Sequence, residues 1–543
     1  MAQPTESTHQ VRWVVLGPVT PTPTGRRFSL DRGSFNEWLE KQAIRCVGSV
    51  PNSLGSGTPL RLDVAVDKLR VLTLKEVTST VPELRDLLAL AGTVGDGPAA
   101  IAAVERIVGA GPLSAKIAEI EGGATGQTGT GPAKAATPGA AGTGEIFDQA
   151  GMPKKQSAAS AAVDAFLRAG PAGGAKPRKS KSSRQVRDAI EEAVFTAARA
   201  LLAAPEVSAV ERTLRGLQLL VGQCPQKSGI SVDVLDVPLD SVTEELRGWR
   251  RGDLVDEPDA VFVPFPITDL RVARELAEIG EELLCPVVID VPPSVLGHGD
   301  VDSMVVALGS LQPKDSEPGW LALRQEESSR WLCAVANGVV LAAEGVGAAQ
   351  RTLIGSGVWA LAATMSKCYA EVGSFARITG RPGAITAPGT RTISSGFYEG
   401  MAAPTEAFIP ISGQADLAKH GLLALGSSRN SDLVVLAATP MVRGSADAVP
   451  LPAQLLTGRI VRFARWVRDQ LPPQADAKTV NEVFEAASKV FLFPGMQDVG
   501  YVRADLREED GKHFIFVQAK VHPAHAGIPF EIGFPLTLTP SED

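Results

Sequence analysis

The chain has 543 residues and a net charge of −8, with 44% hydrophobic and 21% charged residues. This length predicts two or three domains with sizeable cores, and the acidic balance argues against a general nucleic-acid binder, which carries a basic excess. The five cysteines lack the spacing of zinc or redox sites, the N-terminus has no apolar signal core, and no window has the uninterrupted apolar length of a membrane span. We therefore expect reduced, buried cysteines and a cytoplasmic location.

Residues 11–120 have the pattern of a small α/β domain. Val11–Leu16 and Leu60–Val66 have the composition of strands, and the second alternates apolar and polar residues. Ser34–Gln42 predicts a short helix capped by Ser34. Val81-Pro82 opens a further helix, since proline is tolerated in a first turn. Nothing in this range points to catalysis.

Residues 121–183 are rich in Gly, Ala, Thr, Ser and Lys, a composition typical of a flexible linker. A flexible chain of about 60 residues has an end-to-end distance of roughly 40–50 Å. That distance lets the parts on either side pair within one chain or between neighbouring chains. Two apolar islands interrupt the linker, Glu145–Gln149 and Ala161–Arg168.

Residues 184–538 have the order of predicted strands and helices that is typical of a larger, layered α/β domain. Two amphipathic helices come first, and strands then alternate with helices. The predicted strands are Ile230–Val237, Ala260–Phe265 and Cys285–Val291, and the predicted helices are Leu270–Leu284 and Leu451–Arg468. Two further strands, His513–Val521 and Phe530–Leu538, are predicted near the end of the chain.

We find no motif for catalysis or for cofactor binding. The chain has no P-loop, HExxH, GxSxG or dinucleotide-binding glycine pattern. The best metal candidate is the group His513, His522 and His525, but no cysteine lies near it, so we interpret these residues as turn histidines. We therefore predict no catalytic residue, no cofactor and no metal.

A row of arginines recurs at every third position of the predicted helix 451–468. Three steps on a 3.6-residue helix fall back by about 60°, so the row spreads over half of the helix surface. The sequence leaves open a solvated or salt-bridged face, a nucleic-acid surface, and a contact between protein subunits. The residues are Arg459, Arg462, Arg465 and Arg468.

The stretch from Ala403 to Leu425 is similar to a known family signature. It contains Pro404-Thr405-Glu406, a short helix from Asp416 to His420, a stop at Gly421 and the apolar strand Leu422–Leu425. In these residues the chain resembles the large sheath subunit of type VI secretion systems. Further matches are Val210-Glu211, Arg215-Gly216-Leu217, Asp269, Trp320–Arg324, Gly357–Ala360 and Ile378-Thr379-Gly380.

The chain departs from the family pattern at a few positions, and its first part resembles a second sheath subunit. The family carries a Pro-Arg pair where this chain has Ala336-Asn337-Gly338, and usually a Trp at Leu214. Residues 11–120 resemble the small sheath subunit of the same machines at Val50-Pro51-Asn52, Leu60–Val66 and Val81–Leu84. The family's arginine after Leu87-Leu88 is missing. The resemblance covers residues 11–120 and 184–538.

The resemblance implies a fusion of the two sheath subunits in one chain: a small α/β domain, a flexible linker, and a multi-layer α/β sheath domain. It implies a structural, non-enzymatic subunit that forms a helical homopolymer around an inner tube protein and contracts. Baseplate components and an AAA+ recycling unfoldase are implied partners. Neither nucleic acid nor direct membrane insertion is expected.

The resemblance also implies roles for particular residues. Terminal strands are expected to complete the sheet of a neighbouring subunit; the candidates are His513, Phe514, Ile515, Phe516, Val517, Phe530, Ile532 and Phe534. The arginine row is expected to contact the inner tube or a neighbouring protomer. The unfoldase-recognition candidates are Ile146, Phe147 and Asp148, although a chance apolar patch is the alternative.

Two rival interpretations remain at this point. An α/β enzyme with an unrecognised site requires a pocket with convergent titratable groups and predicts a small oligomer. A non-contractile tubular scaffold of the same family predicts tubes of one diameter.

Overall fold

The computed structural model of the chain describes residues 11–93, 98–125, 181–249, 257–345, 347–394, 396–472, 475–493, 499–509 and 512–537. The strands are, in chain order, β1 (Val11–Gly17), β2 (Arg27–Leu30), β3 (Ile44–Val50), β4 (Leu60–Val66), β5 (Ile230–Asp236), β6 (Ala260–Pro266), β7 (Val287–Asp290), β8 (Leu332–Ala336), β9 (Val339–Glu344), β10 (Arg351–Gly355), β11 (Ile385–Thr386), β12 (Arg391–Thr392), β13 (Ala402–Ala403), β14 (Leu422–Ala424), β15 (Gly426–Ser427), β16 (Leu433–Val435), β17 (Gly500–Glu509), β18 (Lys512–Val521) and β19 (Phe530–Thr537).

Helices accompany the strands throughout. They are α1 (Phe35–Gln42), α2 (Leu74–Thr80), α3 (Pro82–Thr93), α4 (Pro98–Val108), α5 (Pro112–Thr125), α6 (Lys181–Ala203), α7 (Pro205–Gly222), α8 (Val242–Trp249), α9 (Leu270–Leu283), α10 (Val301–Ser310), α11 (Pro318–Gln325), α12 (Gly357–Val372), α13 (Gly380–Gly383), α14 (Ile411–Lys419), α15 (Leu451–Gln470), α16 (Ala477–Ala487) and α17 (Pro523–Ala526). The fold is therefore α/β, and the predicted strands and helices named above are confirmed within one or two residues at most ends.

The main sheet has seven strands in the order β14-β8-β7-β6-β1-β5-β2. Every neighbouring pair is parallel except β2 and β5, which are antiparallel. Strand β1 lies between β5 and β6, with Val11 opposite Ile230 and Trp13 opposite Ala260. The first strand of the chain thus completes a sheet whose other parallel strands begin after residue 229.

The two faces of this sheet are both buried, which explains the continuous apolar runs of its strands. Val14 and Leu16 point into a core shared with α9, α10 and α11. Trp13 points to the opposite face, where its ring contacts Phe262 edge-on and its indole nitrogen donates to Ser366 Oγ of α12 at 3.0 Å. Alternate residues of one strand therefore serve two helical layers.

The described part of the chain separates into two compact units. Their boundaries differ from the predicted domain ranges 11–120 and 184–538. One unit contains residues 11–50, 60–81 and the chain from 198 onward, so β1 to β4 belong with the larger α/β part. The other contains residues 51–59 and the described part of 82–197. In this second unit α4 packs against α3 and α5, and Gly57 N donates to Val108 O in the turn between α4 and α5.

The predicted linker lies largely outside the described residues. Its first residues, 121–125, form the end of α5, and its last residues, 181–183, begin α6. The assignment of 11–120 and 184–538 to two ancestral subunits stays a prediction.

The N-terminus of α1 differs from its prediction. Ser34 adopts a helical conformation and its side chain makes no cap hydrogen bond to the helix. Instead Asp31 Oδ1 accepts from Gly33 N at 2.6 Å and from Ser34 N at 2.8 Å, while Ser34 Oγ accepts from Asp31 N. The turn before the helix, rather than the helix itself, uses the Ser34 hydroxyl.

Among the described residues no single helix is long and apolar enough to cross a membrane, although the bent pair Ser183–Ala203 and Pro205–Gly222 passes the same test of length and composition.

Helix α7 approaches α12 closely at one glycine. A Cβ on Gly216 would clash with the indole nitrogen of Trp359, whose ring is buried. Gly222, at the end of the same helix, has open space around it. The Arg-Gly-Leu match in the sequence thus has a packing reason.

We predict that Gly216→Ala destabilises the protein by about 1–3 kcal/mol, because Trp359 must shift in a close-packed core. The matched control Gly222→Ala should be neutral or stabilising by up to about 1 kcal/mol, since alanine favours the helix. Urea denaturation of both variants measures the difference. Equal effects of the two substitutions would contradict the packing explanation.

Candidate functional site

The C-terminal sheet holds the predicted inter-subunit strands. It is antiparallel with the order β17-β18-β19, and its inner face packs on α15 and α16. Ile515 and Val517 point into this core, and Ile532 and Phe534 of β19 continue it. Strand β17 had no counterpart in the sequence-based prediction.

The candidates Phe514 to Val517 need a correction, and His513 lies at the start of the same strand. The strand is β18, the central one, which pairs with β17 from Lys512 to Val521 and with β19 from Phe514 to Val521. A central strand has no unpaired backbone groups to offer to another chain, so in this structure it cannot accept an added strand. Strand β19, which carries Phe530, Ile532 and Phe534, lies at an edge of the sheet. That these three residues pair with a neighbouring subunit stays a prediction.

The outer face of the same sheet carries three aromatic side chains among mostly charged and polar ones. Phe514 and Phe516 point outward from β18, and the Arg507 guanidinium lies 3.9 Å from the Phe516 ring centroid. A second cation–π pair joins Arg503 and Tyr501 at 4.5 Å. Two of the outer aromatic rings thus each have an arginine against one face.

The arginine row divides into buried and exposed members. Arg462 is 11% exposed; its Nη2 lies 2.6 Å from Asp259 Oδ1, and its Nη1 donates to Pro258 O. Arg459 is 13% exposed and lies 3.7 Å from the same carboxylate. These two residues hold α15 against the start of β6, so the expectation that they face a tube or a protomer is wrong for this structure.

The other two arginines have different surroundings. Arg468 Nη2 lies 2.7 Å from Asp469 Oδ1, and its Nη1 donates to Thr537 O at the end of β19 at 3.4 Å. Arg465 is exposed. Of the row, Arg465 alone keeps the exposure that a contact with another molecule requires, and its role stays a prediction.

We predict that Arg462→Met destabilises the protein by about 1–3 kcal/mol, because the buried Asp259 carboxylate would lose its hydrogen-bonded cation and keep only Arg459 at 3.7 Å. Arg465→Met is the matched control on the same helix and should change stability by no more than about 0.5 kcal/mol. Both are measured by chemical denaturation. If Arg462→Met were as mild as its control, the anchoring role would be refuted.

The signature segment around Pro404 is held by Asn337. The Asn337 side chain donates to Ala407 O at 2.9 Å and to Leu425 O at 2.8 Å, and accepts from Ala407 N at 2.9 Å. Asn337 has a φ of 74°, a conformation that asparagine tolerates better than most residues. The Asn-Gly pair, which departs from the family pattern, therefore connects the end of β8, the Pro-Thr-Glu segment and the end of β14.

The helix that ends at His420 is fixed by a buried imidazole. His420 Nδ1 lies 2.7 Å from Ser316 Oγ, and its Nε2 lies 3.1 Å from Leu308 O. Burial lowers the pKa of His420, so the neutral ring is favoured, with Nε2–H donating to the carbonyl. This histidine is structural: both ring nitrogens are used inside the fold.

Glu211, which belongs to the family resemblance, lies in a buried network of ion pairs. Glu211 of α7 is fully buried, and its carboxylate pairs with Arg351 of β10 and, at 2.7 Å, with Arg215. Arg351 also contacts Glu344 at 2.9 Å, and Glu344 accepts from Leu74 N at 3.0 Å. The Val210-Glu211 match thus ties α7 to two other segments.

A cleft lies at the carboxyl ends of β6, β7 and β8. Its volume is about 480 Å³, and it is lined by Asp290, Glu406, Arg212, Ser356, Phe265 and Trp359. Burial raises the pKa of Asp290 to about 6; a hydrogen bond with Ser356 opposes this rise, and the charge of Glu406 adds to it. Open α/β sheets commonly bind ligands at this position, and this is the pocket that the enzyme interpretation requires.

The cleft offers limited chemistry. The described residues that line it include carboxyl, hydroxyl, amide and guanidinium groups, but no histidine, cysteine or lysine. Glu406 Oε2 accepts from Gly338 N at 3.4 Å, and Glu406 N donates to Gly338 O, which fixes its backbone. These groups hold the walls of the cleft together.

We predict that Asp290→Asn stabilises the protein at pH 8 by about 1–3 kcal/mol. The folded-state pKa of Asp290 is raised, so its favourable contribution is complete below the unfolded-state pKa and is lost as the pH rises through about 6. The gain should therefore disappear at pH 4. Asp300→Asn is the opposite control: the Ser303 amide lowers the pKa of Asp300, so this substitution should give no gain at pH 8. Thermal unfolding at both pH values checks the sign.

The histidine group does not converge. His513 is near the start of β18, opposite Glu508, whereas His522 follows its end and accepts from Ala524 N. Within the described ranges no group of three or more His, Cys, Asp or Glu residues is placed to hold a metal ion. The candidates Ile146, Phe147 and Asp148 lie outside the described residues.

Comparison with known proteins gives structural neighbours only. No protein-family model and no curated protein matches the chain. The anti-feeding prophage (AFP) helical sheath in its contracted state matches at 15% identity and a TM-score of 0.35, over 63% of this chain and 83% of that one. The AFP baseplate structure matches at 14% identity and a TM-score of 0.35, over 60% and 80% of the two chains. The sheath tail protein of Desulfitobacterium hafniense matches at 13% identity and a TM-score of 0.32, over 56% and 60%. These values are too low to assign a family.

Proposed function

We propose that the chain is a structural subunit of a contractile, tail-like sheath of the type VI secretion kind. It polymerises into a helical tube around an inner tube and contracts to propel it. In this proposal the small and large sheath subunits are fused in one cytoplasmic chain, and the sheath itself performs no catalysis.

One observation carries the proposal: the C-terminal sheet ends in the edge strand β19, which pairs only with β18 among the described residues. An unpaired strand edge is normally an aggregation hazard, and it is also the surface on which another chain adds a strand. If each subunit extends the sheet of the next by a contact between unlike surfaces, the assembly does not close and a helical tube results.

Two residues that match the family pattern and one that departs from it support the same proposal. Glu211, Gly216 and Asn337 hold the interior of the fold together, which suits a subunit that moves as a rigid body. Contraction is then a switch between two helical packings of rigid subunits. The inner tube protein, the baseplate components and an AAA+ unfoldase are the partners we propose.

We predict hollow helical tubes in negative-stain electron micrographs of the purified full-length chain, with wide and narrow forms in one preparation. Tubes of a single diameter would favour the non-contractile scaffold. Particles of one or two chains at high concentration, with the inner tube protein also present, would contradict the sheath proposal.

A further inference from the structure

The cleft at the carboxyl ends of β6, β7 and β8 contains two carboxylates without a cation. Asp290 ends β7, Glu406 belongs to the Pro-Thr-Glu segment, and both side chains are half-buried. Among the described residues, no lysine, arginine or histidine forms an ion pair with either carboxylate. The charge of Glu406 raises the pKa of Asp290, so the two carboxylates act on each other.

This arrangement is unfavourable for the protein alone. Burial removes water from a carboxylate, and a second carboxylate nearby destabilises its charge further. Burial raises the pKa of Asp290 to about 6, which is a measure of that cost. At pH 8 Asp290 is nevertheless ionised, and the cleft then holds a negative charge that no described cation balances. Charges in such surroundings are normally paired, so the cleft lacks a positively charged partner.

The lining favours an organic cation over a metal ion. Mg²⁺ and Ca²⁺ need about six oxygen ligands, and within the described ranges no group of three or more His, Cys, Asp or Glu residues is placed to hold a metal. Two aromatic side chains, Phe265 and Trp359, line the same cleft. Aromatic rings attract organic cations by their electrostatic quadrupole.

A guanidinium group suits this cleft better than an ammonium group. It is planar and carries five N–H donors in a fixed geometry that matches carboxylates in pairs. The acceptors available to it are the carboxylate oxygens of Asp290 and Glu406 and the hydroxyl of Ser356. An ammonium group has three donors and holds its water more strongly, so it gains less from aromatic walls.

Arg212 adds an opposite charge to the lining. It lies on α7, its side chain is exposed, and it lines the cleft. The preceding residue, Glu211, pairs with Arg215 and Arg351 instead, and no described carboxylate forms an ion pair with Arg212. A ligand that carries a guanidinium group into the cleft can therefore place an anionic group on Arg212. The cleft volume of about 480 Å³ is within the range of small-molecule sites.

We propose that this cleft binds a small guanidinium compound that also carries an anionic group, of which free arginine is the simplest example. The guanidinium group lies between Asp290 and Glu406, and the anionic group contacts Arg212. The described lining contains no histidine, cysteine or lysine, and the ligand is held rather than converted. The site does not depend on the proposed sheath function, because one chain supplies all of its residues.

Equilibrium dialysis of the full-length chain against radiolabelled arginine at pH 8 tests the site. Arginine should bind with a dissociation constant below about 1 mM. Citrulline, the neutral isostere of arginine, should compete at least about tenfold more weakly, because it lacks the charge that the carboxylates require. Agmatine, which keeps the guanidinium group and lacks the carboxylate, should compete about tenfold more weakly because it has no anion for Arg212.

Charge variants assign the binding to the cleft. Asp290→Asn and Glu406→Gln should each weaken arginine binding about ten- to hundredfold, since each removes a charged acceptor. Arg212→Met should reduce arginine binding to the level of agmatine and leave agmatine binding unchanged. Asp300→Asn removes a carboxylate outside the lining and should bind arginine like the wild type. Melting temperatures show whether each variant is folded.

A blocking variant tests the same site with its charges intact. Ala209 is exposed on α7 and lines the cleft, so Ala209→Trp places a large side chain there. It should weaken arginine binding at least about tenfold. Gln218→Trp, at an exposed position of the same helix and outside the lining, is the matched control and should bind normally.

Four results would overturn the inference. They are no saturable binding of arginine, equal competition by citrulline, unchanged binding by both carboxylate variants, and equal competition by agmatine. Agmatine represents the side chain of a protein arginine, so the last result would replace the free compound by a side chain of another protein. Each of these results leaves the sheath proposal standing, because electron micrographs test that proposal separately.

Discussion

The buried carboxylate of Asp259 connects strand β1 and helix α15 to β6 in the middle of the main sheet. Its Oδ2 accepts from Arg12 N at 2.8 Å, and Asp259 N donates back to Arg12 O, which joins β1 to β6. Its Oδ1 receives Arg462 of α15 at 2.6 Å. Helix α15 carries the C-terminal sheet on its other face, so one charge sets the position of the first strand and of the last sheet. Loss of Arg462 would leave this carboxylate with the more distant Arg459, at 3.7 Å, as its cation.

The sequence predicted most elements because local patterns determine them. Continuous apolar runs gave β5, β6 and β7, and helical periodicity gave α6, α7 and α15. Strand β17 was missed because its outward residues, such as Arg503 and Asp505, dilute the apolar pattern of an edge strand. The Ser34 cap was wrong because the Ser34 hydroxyl accepts from Asp31 N, in the turn before the helix, and not from a helix amide.

The site was harder to predict because its determinants are distant in sequence. The arginine row could be recognised from its spacing. The burial of Arg462 could not be predicted, because its partner Asp259 lies 203 residues earlier in the chain. Strand β18 is central in its sheet only because β17 pairs with it, and the apolar pattern of the sequence did not predict β17. The Asn337-Gly338 pair is a local signal, because Asn-Gly often marks a positive φ, and Asn337 has one. The residues that carry the family resemblance, such as Glu211 and Gly216, act in packing and ion pairing rather than at a surface.

The place of β1 has a consequence for synthesis of the protein. Arg12 and Asp259 are 247 residues apart, and β1 is held between strands that both come late. At typical rates of translation, the ribosome needs on the order of 10–50 s to make the chain between them. During that time the apolar residues of β1 have no sheet to enter, so the nascent chain must keep them from other contacts. We expect chaperone binding to the first residues to end when β6 leaves the ribosome.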